Sequence, residues 1–155
     1  MDKSKWHKPD SERPLTSEGR RKMRKAAKGL KRLNLGIDWI LTSPYRRAYD
    51  TAGIVGKALK KQKKIKTVNE LAANKNPENL VRYLVQNYSS DATLLLVGHE
   101  PYLTRLISMW VGAAAPLALD FKKGGLCKLV METVRFGRCA TLEWWIPPKL
   151  LRRLR

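Results

Sequence analysis

Two short apolar runs, each ending in a polar turn that opens a helix, constrain this chain more than any other feature. Residues 39–41 run into Ser43-Pro44, and residues 93–97 run into Gly98-His99-Glu100-Pro101. The second run, Thr-Leu-Leu-Leu-Val, has no polar alternation, which is the pattern of a strand buried on both faces. Residues 65–68, Ile-Lys-Thr-Val, read as a further short strand. Between these runs lie helical patterns. Thr16 is an N-cap for a helix to about Leu33, with Met23, Ala26, Ala27, Leu30 and Leu33 on one face and Gly36 past its end. Ser43 followed by Pro44 starts a second helix to about Leu59, Asn76-Pro77 starts a third, and Pro101 opens a fourth to about Trp110. Strands alternating with helices predict an α/β fold: a three-layer, mainly parallel sheet with helices on both faces and right-handed crossovers. Residues 126–134 and 139–146 add a C-terminal antiparallel hairpin, with Cys127 expected opposite Ile146 and Val134 opposite Cys139.

A chain of 155 residues with 43% apolar content is enough for one domain with its own core, so residues 1–155 are expected to form a single unit. The weakly polar run at residues 107–119 contains Pro116 and is too short to cross a bilayer, and the amino terminus has no apolar signal-peptide core. A cytoplasmic protein with no membrane partner is expected. Cys127 and Cys139 form no metal or redox motif, and the hairpin register keeps them too far apart to join, in keeping with a reducing compartment. Charge is the unusual total, with 32 Lys and Arg against 13 Asp and Glu and a formal net charge of +19. Residues 1–66 hold 20 of the basic groups and 6 of the acidic ones. That half of the chain suits a polyanion or a phosphorylated ligand, although a solvated basic face explains the charge equally well.

In open parallel sheets, ligands collect at the carboxyl ends of the strands. Arg47 follows one such end and His99 follows another, each beside the start of a helix whose free N–H groups and dipole favour an anion. A guanidinium can grip two phosphate oxygens at once. An imidazole can donate to a phosphoryl group and stabilise the charge in transfer. Taken singly, Arg47 reads as a surface arginine and His99 as a core histidine; their shared strand, turn and helix-start setting is what pairs them. No acidic cluster at metal-ligand spacing accompanies them, so metal-independent chemistry with no cofactor is expected.

The ordered segments ERPLTSEG, LTSPYRRAYDTA, LLLVGHEPYL, KKGGLCKL and EWWIPPKLL resemble the histidine phosphatase superfamily over nearly the whole chain, and within it the small SixA-type phosphohistidine phosphatases. The resemblance implies a phosphoglycerate mutase-like fold. It also implies a phosphatase acting on a phosphorylated signalling or phosphotransfer protein through a phosphohistidine intermediate, a form of covalent catalysis. SPYRRAYDTA matches the segment that carries the family's phosphate-binding arginine, which places that role on Arg47. VGHEP matches the block of the second catalytic histidine, which places that role on His99. Arg13, in ERPLT, is a candidate substrate contact at the pocket mouth, with a loop arginine outside any site as the alternative. Glu70 and Glu100 are the nearest acidic candidates for a proton donor.

The family's nucleophile is a histidine in an Arg-His-Gly motif at the end of a first strand, and no such motif occurs in the sequence, which opens MDKSKWHKPDSERPLT. His7 follows Trp6 rather than arginine and has no apolar run behind it, so it is a poor substitute. The expectation is a domain whose first strand and turn, roughly 8 to 12 residues, are missing. Because the resemblance puts that strand centrally, marginal stability is expected as well. Two alternatives stay open: a catalytically inactive phosphate- or phosphoprotein-binding module, and a basic nucleic-acid-associated protein.

Overall fold

The computed structural model describes residues 6–112, 115, 117, 118 and 120–154. Pro116 and Leu119 of the weakly polar run lie outside the described residues, as do residues 1–5 at the start of the chain. The elements follow in the order α1 (Ser17–Arg32), β1 (Trp39–Thr42), α2 (Arg46–Leu59), β2 (Ile65–Thr67), α3 (Pro77–Asn87), β3 (Leu94–Val97), α4 (Tyr102–Val111), β4 (Leu126–Val130), β5 (Thr141–Ile146) and α5 (Pro148–Leu151). A 3-10 turn at Asp10–Glu12 precedes them.

The first three strands form a parallel sheet in the order β2-β1-β3, with Ile40 level with Ile65 on one side and with Leu95 on the other. Strand alternation sends successive side chains to opposite faces, and β1 shows the result. Ile40 packs with Ala27 and Leu30 of α1 and with Ala52 and Val55 of α2. Leu41 packs with Leu80 and Leu84 of α3 and with Tyr102, Leu106 and Trp110 of α4. Both residues are fully buried, and each such side chain is worth about 1.5–3 kcal/mol of burial. Helices therefore cover both faces of the sheet, as the sequence pattern requires.

Caps close the helices where the sequence places them. Thr16 Oγ1 accepts from Gly19 N at 2.9 Å, and Asn76 Oδ1 accepts from Glu78 N at 3.0 Å. Within α1, Gly29 is buried, and a Cβ built on it would lie 1.9 Å from the carbonyl oxygen of Leu151. Glycine in a helix interior costs roughly 1 kcal/mol relative to alanine; here it lets the C-terminal helix α5 lie directly on α1.

Three expectations need correction. First, α2 begins at Arg46 rather than at Pro44, because Tyr45 keeps an extended backbone (ψ 133°) and Ser43 is engaged elsewhere. Second, the hairpin is shorter and shifted: Cys127 pairs with Trp145 and Leu126 with Ile146, and an irregularity at Lys128/Leu129 changes the register beyond it. Cys139 lies outside both strands, its N–H donating to Trp110 O at 2.8 Å, and both cysteines are free thiols. Third, the residues of β3 are only partly buried, not enclosed on both faces. The physical reason is an open edge: β3 hydrogen-bonds to β1 on one side, and among the described residues no strand pairs with the other. The hairpin β4-β5 forms a separate two-stranded sheet.

Candidate active site

Parallel pairing sets the ends of β1 and β3 level, with Thr42 opposite Val97, and the alignment continues one residue further as Ser43 N donates to Val97 O at 2.9 Å. The chain leaves both strands at the same edge. Ser43 leads into α2 and His99 into α4, and the two side chains meet: His99 Nε2 lies 2.8 Å from Ser43 Oγ. Tyr45 N donates to that same oxygen at 3.3 Å; the hydroxyl donates to the ring nitrogen or accepts from it according to the imidazole tautomer.

Tyr45 links the histidine to the arginine. Its ring centroid is 4.8 Å from that of His99, and the Arg47 guanidinium carbon lies 5.6 Å from the Tyr45 centroid, within cation–π range. Burial depresses the basicity of His99, and the positive charge of Arg47 adds to this while Asp10 opposes it; the outcome is a pKa lowered to about 4. The imidazole is thus neutral near pH 7. Its folded value lies below the ordinary 6.5, so the unfolded chain takes up the proton first as pH falls. Stability from this group is complete above pH 6.5 and is lost progressively down to about pH 4, roughly 3 kcal/mol in all for a side chain only 8% exposed. An NMR titration of the His99 ring is expected to give a midpoint near 4, rising in Arg47→Ala; a midpoint near 6.5 in the unaltered protein would contradict this geometry.

The guanidinium of Arg47 already holds an anion. Its Nη2 is 2.8 Å from Asp10 Oδ2, and its Nη1 donates to the Asp10 backbone oxygen at 2.7 Å. The other carboxylate oxygen, Asp10 Oδ1, accepts from Arg13 Nε at 2.9 Å. Partial burial pushes the Asp10 carboxyl up, but the hydrogen bonds and charges of Arg13 and Arg47 outweigh it and hold the pKa below the usual carboxylate range. Arg13, placed at the pocket mouth on sequence grounds, therefore shares one carboxylate with Arg47.

Beneath this pair sits Asp50, whose side chain is 6% exposed. It accepts from Arg20 Nη2 at 2.6 Å, from Leu15 N at 3.1 Å and from Arg46 Nε at 3.2 Å. One carboxylate thereby ties the entry to α1 to the first turn of α2, the turn that carries Arg47. The other candidates do not join the site. His7 is exposed in the loop before the 3-10 turn. Glu100 accepts from Thr104 Oγ1 at 2.6 Å, and Glu70 contributes its backbone oxygen to Tyr102 Oη at 2.8 Å. Among the described residues, no group of three or more His, Cys, Asp or Glu could hold a metal ion.

Sequence reasoning missed three members of this arrangement. Ser43 was readable only as a helix cap. Asp50 left one signal, its i+4 spacing from Arg46. Asp10 left none.

Comparison with known proteins agrees with this architecture. A family model for the histidine phosphatase superfamily (branch 1) matches residues 2–75. An uncharacterized protein of Picosynechococcus sp. is 31% identical over 121 residues, spanning 77% of this chain and 73% of that protein. The protein histidine phosphatase SixA, solved with tungstate, superposes with a TM-score of 0.81 at 24% identity, covering 95% of this chain and 92% of SixA. A SixA structure from Agrobacterium tumefaciens gives 0.73 at 22% identity, over 92% and 90% of the two chains. The chain belongs to the histidine phosphatase superfamily, whose model covers the segment that carries Arg47, and it has the SixA fold.

Proposed function

We propose that this protein acts as a phosphohistidine phosphatase on a phosphorylated signalling or phosphotransfer protein, with Arg47 gripping the phosphoryl oxygens and His99 stabilising the charge in transfer. One observation carries the reading: Arg47 and Arg13 close on the two oxygens of a single carboxylate beside a neutral imidazole at the carboxyl ends of two parallel strands. A carboxylate held by two guanidinium groups is a stand-in for a phosphate edge, since both anions suit the same donor fork. The SixA relative is described in complex with tungstate, a tetrahedral oxyanion of the same shape. On this reading the phosphoryl group displaces Asp10, Arg47 supplies two parallel N–H donors, and the neutral His99 ring donates to a non-bridging oxygen. The transferred charge is met by groups already in place, which limits reorganisation during the step. Arg13 contacts the substrate at the rim.

In the superfamily chemistry that the resemblance implies, a histidine nitrogen displaces the leaving group from phosphorus, and water then cleaves the N–P bond. The two histidines of this sequence are His7, which is exposed, and His99, which is paired with Ser43. That observation favours a second reading, a module that binds phosphate or a phosphoprotein without turnover. Release of phosphate from a phosphohistidine-bearing protein separates the two when measured for this chain and for a version extended at its amino end by an apolar strand ending in Arg-His-Gly. The enzyme reading predicts turnover in the extended form that Arg47→Ala abolishes. No turnover in either form, with tungstate still bound, selects the binding module; failure to bind tungstate at all overturns both.

A further inference from the structure

On the side of α1 away from its core contacts, Arg21, Lys25, Lys28 and Arg32 stand at i, i+4, i+7 and i+11, all exposed. At 100° per residue they share one sector about 60° wide and run about 16 Å along the axis. The ion pairs of α1 lie off this stripe: Arg20 with Asp50 on one flank and Lys22 with Glu18 on the other. Among the described residues no carboxylate pairs with any of the four. Like charges at i, i+4 repel within an isolated helix, and this helix carries two such pairs on one stripe.

The fold then adds charge to the same place. Gly29 lets α5 lie against α1, and the chain beyond α5 brings Arg152 and Leu154 alongside Lys25, Lys28 and Arg32 to line an open cleft of about 390 Å³. Among the described residues, no acidic side chain lines it. Leu154 is 38% exposed, and Leu150, one turn earlier, is 53% exposed. None of these residues belongs to the Arg47–His99 arrangement.

We propose that this stripe and cleft dock an acidic amphipathic helix of a partner protein, its carboxylates set along Arg21, Lys25, Lys28 and Arg32 and an apolar side chain against Leu154. Charge complementarity calls for an anion, and the spacing of the four cations matches the i, i+4, i+7 ladder that a second helix would offer. The exposed leucine selects among anions: a nucleic-acid backbone or a polyphosphate chain gains nothing by covering it, whereas an amphipathic protein helix does.

The test is fluorescence anisotropy of a labelled helical peptide of about 18 residues, with glutamates at the four positions and leucines flanking them, in roughly 0.1 M salt. Its competitors are the same peptide with serine for leucine, a duplex DNA and inorganic polyphosphate. The expected result is saturable binding of the leucine peptide, weakened severalfold by its serine version and at least tenfold by combined Lys25→Glu, Lys28→Glu and Arg32→Glu. Leu154→Ser, which leaves every charge in place, is expected to remove the preference for leucine. Circular dichroism of each variant checks the fold. Equal or tighter binding of DNA or polyphosphate would overturn the proposal, as would peptide binding unchanged by the charge reversals or indifferent to Leu154.

Discussion

Arg47→Ala is expected to weaken the binding of tungstate or phosphate by about 10- to 150-fold, the equivalent of the 1.5–3 kcal/mol carried by hydrogen bonds to charged groups. Asp10→Ala is expected to act in the opposite direction. Asp10 holds the same guanidinium through its carboxylate and its backbone oxygen and is shared with Arg13. An incoming anion must first displace it. The Asp10 side chain is 53% exposed, so its hold is screened by water and is worth less than the contact with an enclosed oxyanion. Removing it is therefore expected to raise affinity severalfold, up to about tenfold. Calorimetric titration of tungstate into the three proteins checks both signs at once. A loss of affinity in Asp10→Ala would show that the carboxylate supports the anion site instead of filling it.

Asp50→Ala is expected to give the largest fall in stability, about 2–4 kcal/mol. Its carboxylate is buried and satisfies Arg20, Arg46 and the Leu15 N–H together. Truncation leaves two guanidinium groups and a backbone donor without their acceptor. Arg46 is 60% exposed and can turn to water, so most of the cost falls on Arg20 and Leu15 N. For a chain of this size the melting temperature should drop by roughly 5–15 °C. Asp50→Asn keeps an acceptor in place and should lose about half as much. Because α2 carries Arg47 on its first turn, a second consequence follows: oxyanion affinity should also fall in Asp50→Ala, although Asp50 touches no ligand. Thermal unfolding of the three proteins, with tungstate titrations alongside, measures both effects. A melting change within about 1 °C would show that the buried carboxylate does not tie the two helices.

The parts of this molecule that could be read from the sequence are those written in local pattern. The apolar runs at 39–41 and 93–97 gave the strands, Thr16 and Asn76 gave the caps, and the turns after the strands put Arg47 and His99 at one edge of the sheet, since each of these rests on residues within a few positions of one another. Pairings across long separations were not legible. Asp10 meets Arg47 across 37 positions and Asp50 meets Leu15 across 35, and no short motif announces either. Ser43 shows how a local rule can be outcompeted. Its Ser-Pro signature is that of a helix start, but its hydroxyl sits against His99 Nε2, and the helix begins three residues later. The hairpin failed for a different reason: the connection between its strands runs from residue 131 to 140 and not over the four residues 135–138, so the register is offset from the turn onward, and an irregularity at Lys128/Leu129 changes it once more. The partial exposure of β3 has the same character, because burial of a strand depends on what lies beside it and not on its own side chains.

If Arg47 and His99 serve one tetrahedral oxyanion, the His99 ring must respond when that anion binds, and NMR of the ring during addition of tungstate, in the unaltered protein and in Arg47→Ala, measures this response. In the unaltered protein the His99 signals are expected to shift saturably and the titration midpoint to move up from about 4, because a nearby anion favours the protonated ring. No such response is expected at matched tungstate in Arg47→Ala. Tungstate that binds with the His99 signals and midpoint unmoved, or that moves them equally without Arg47, would contradict a shared site.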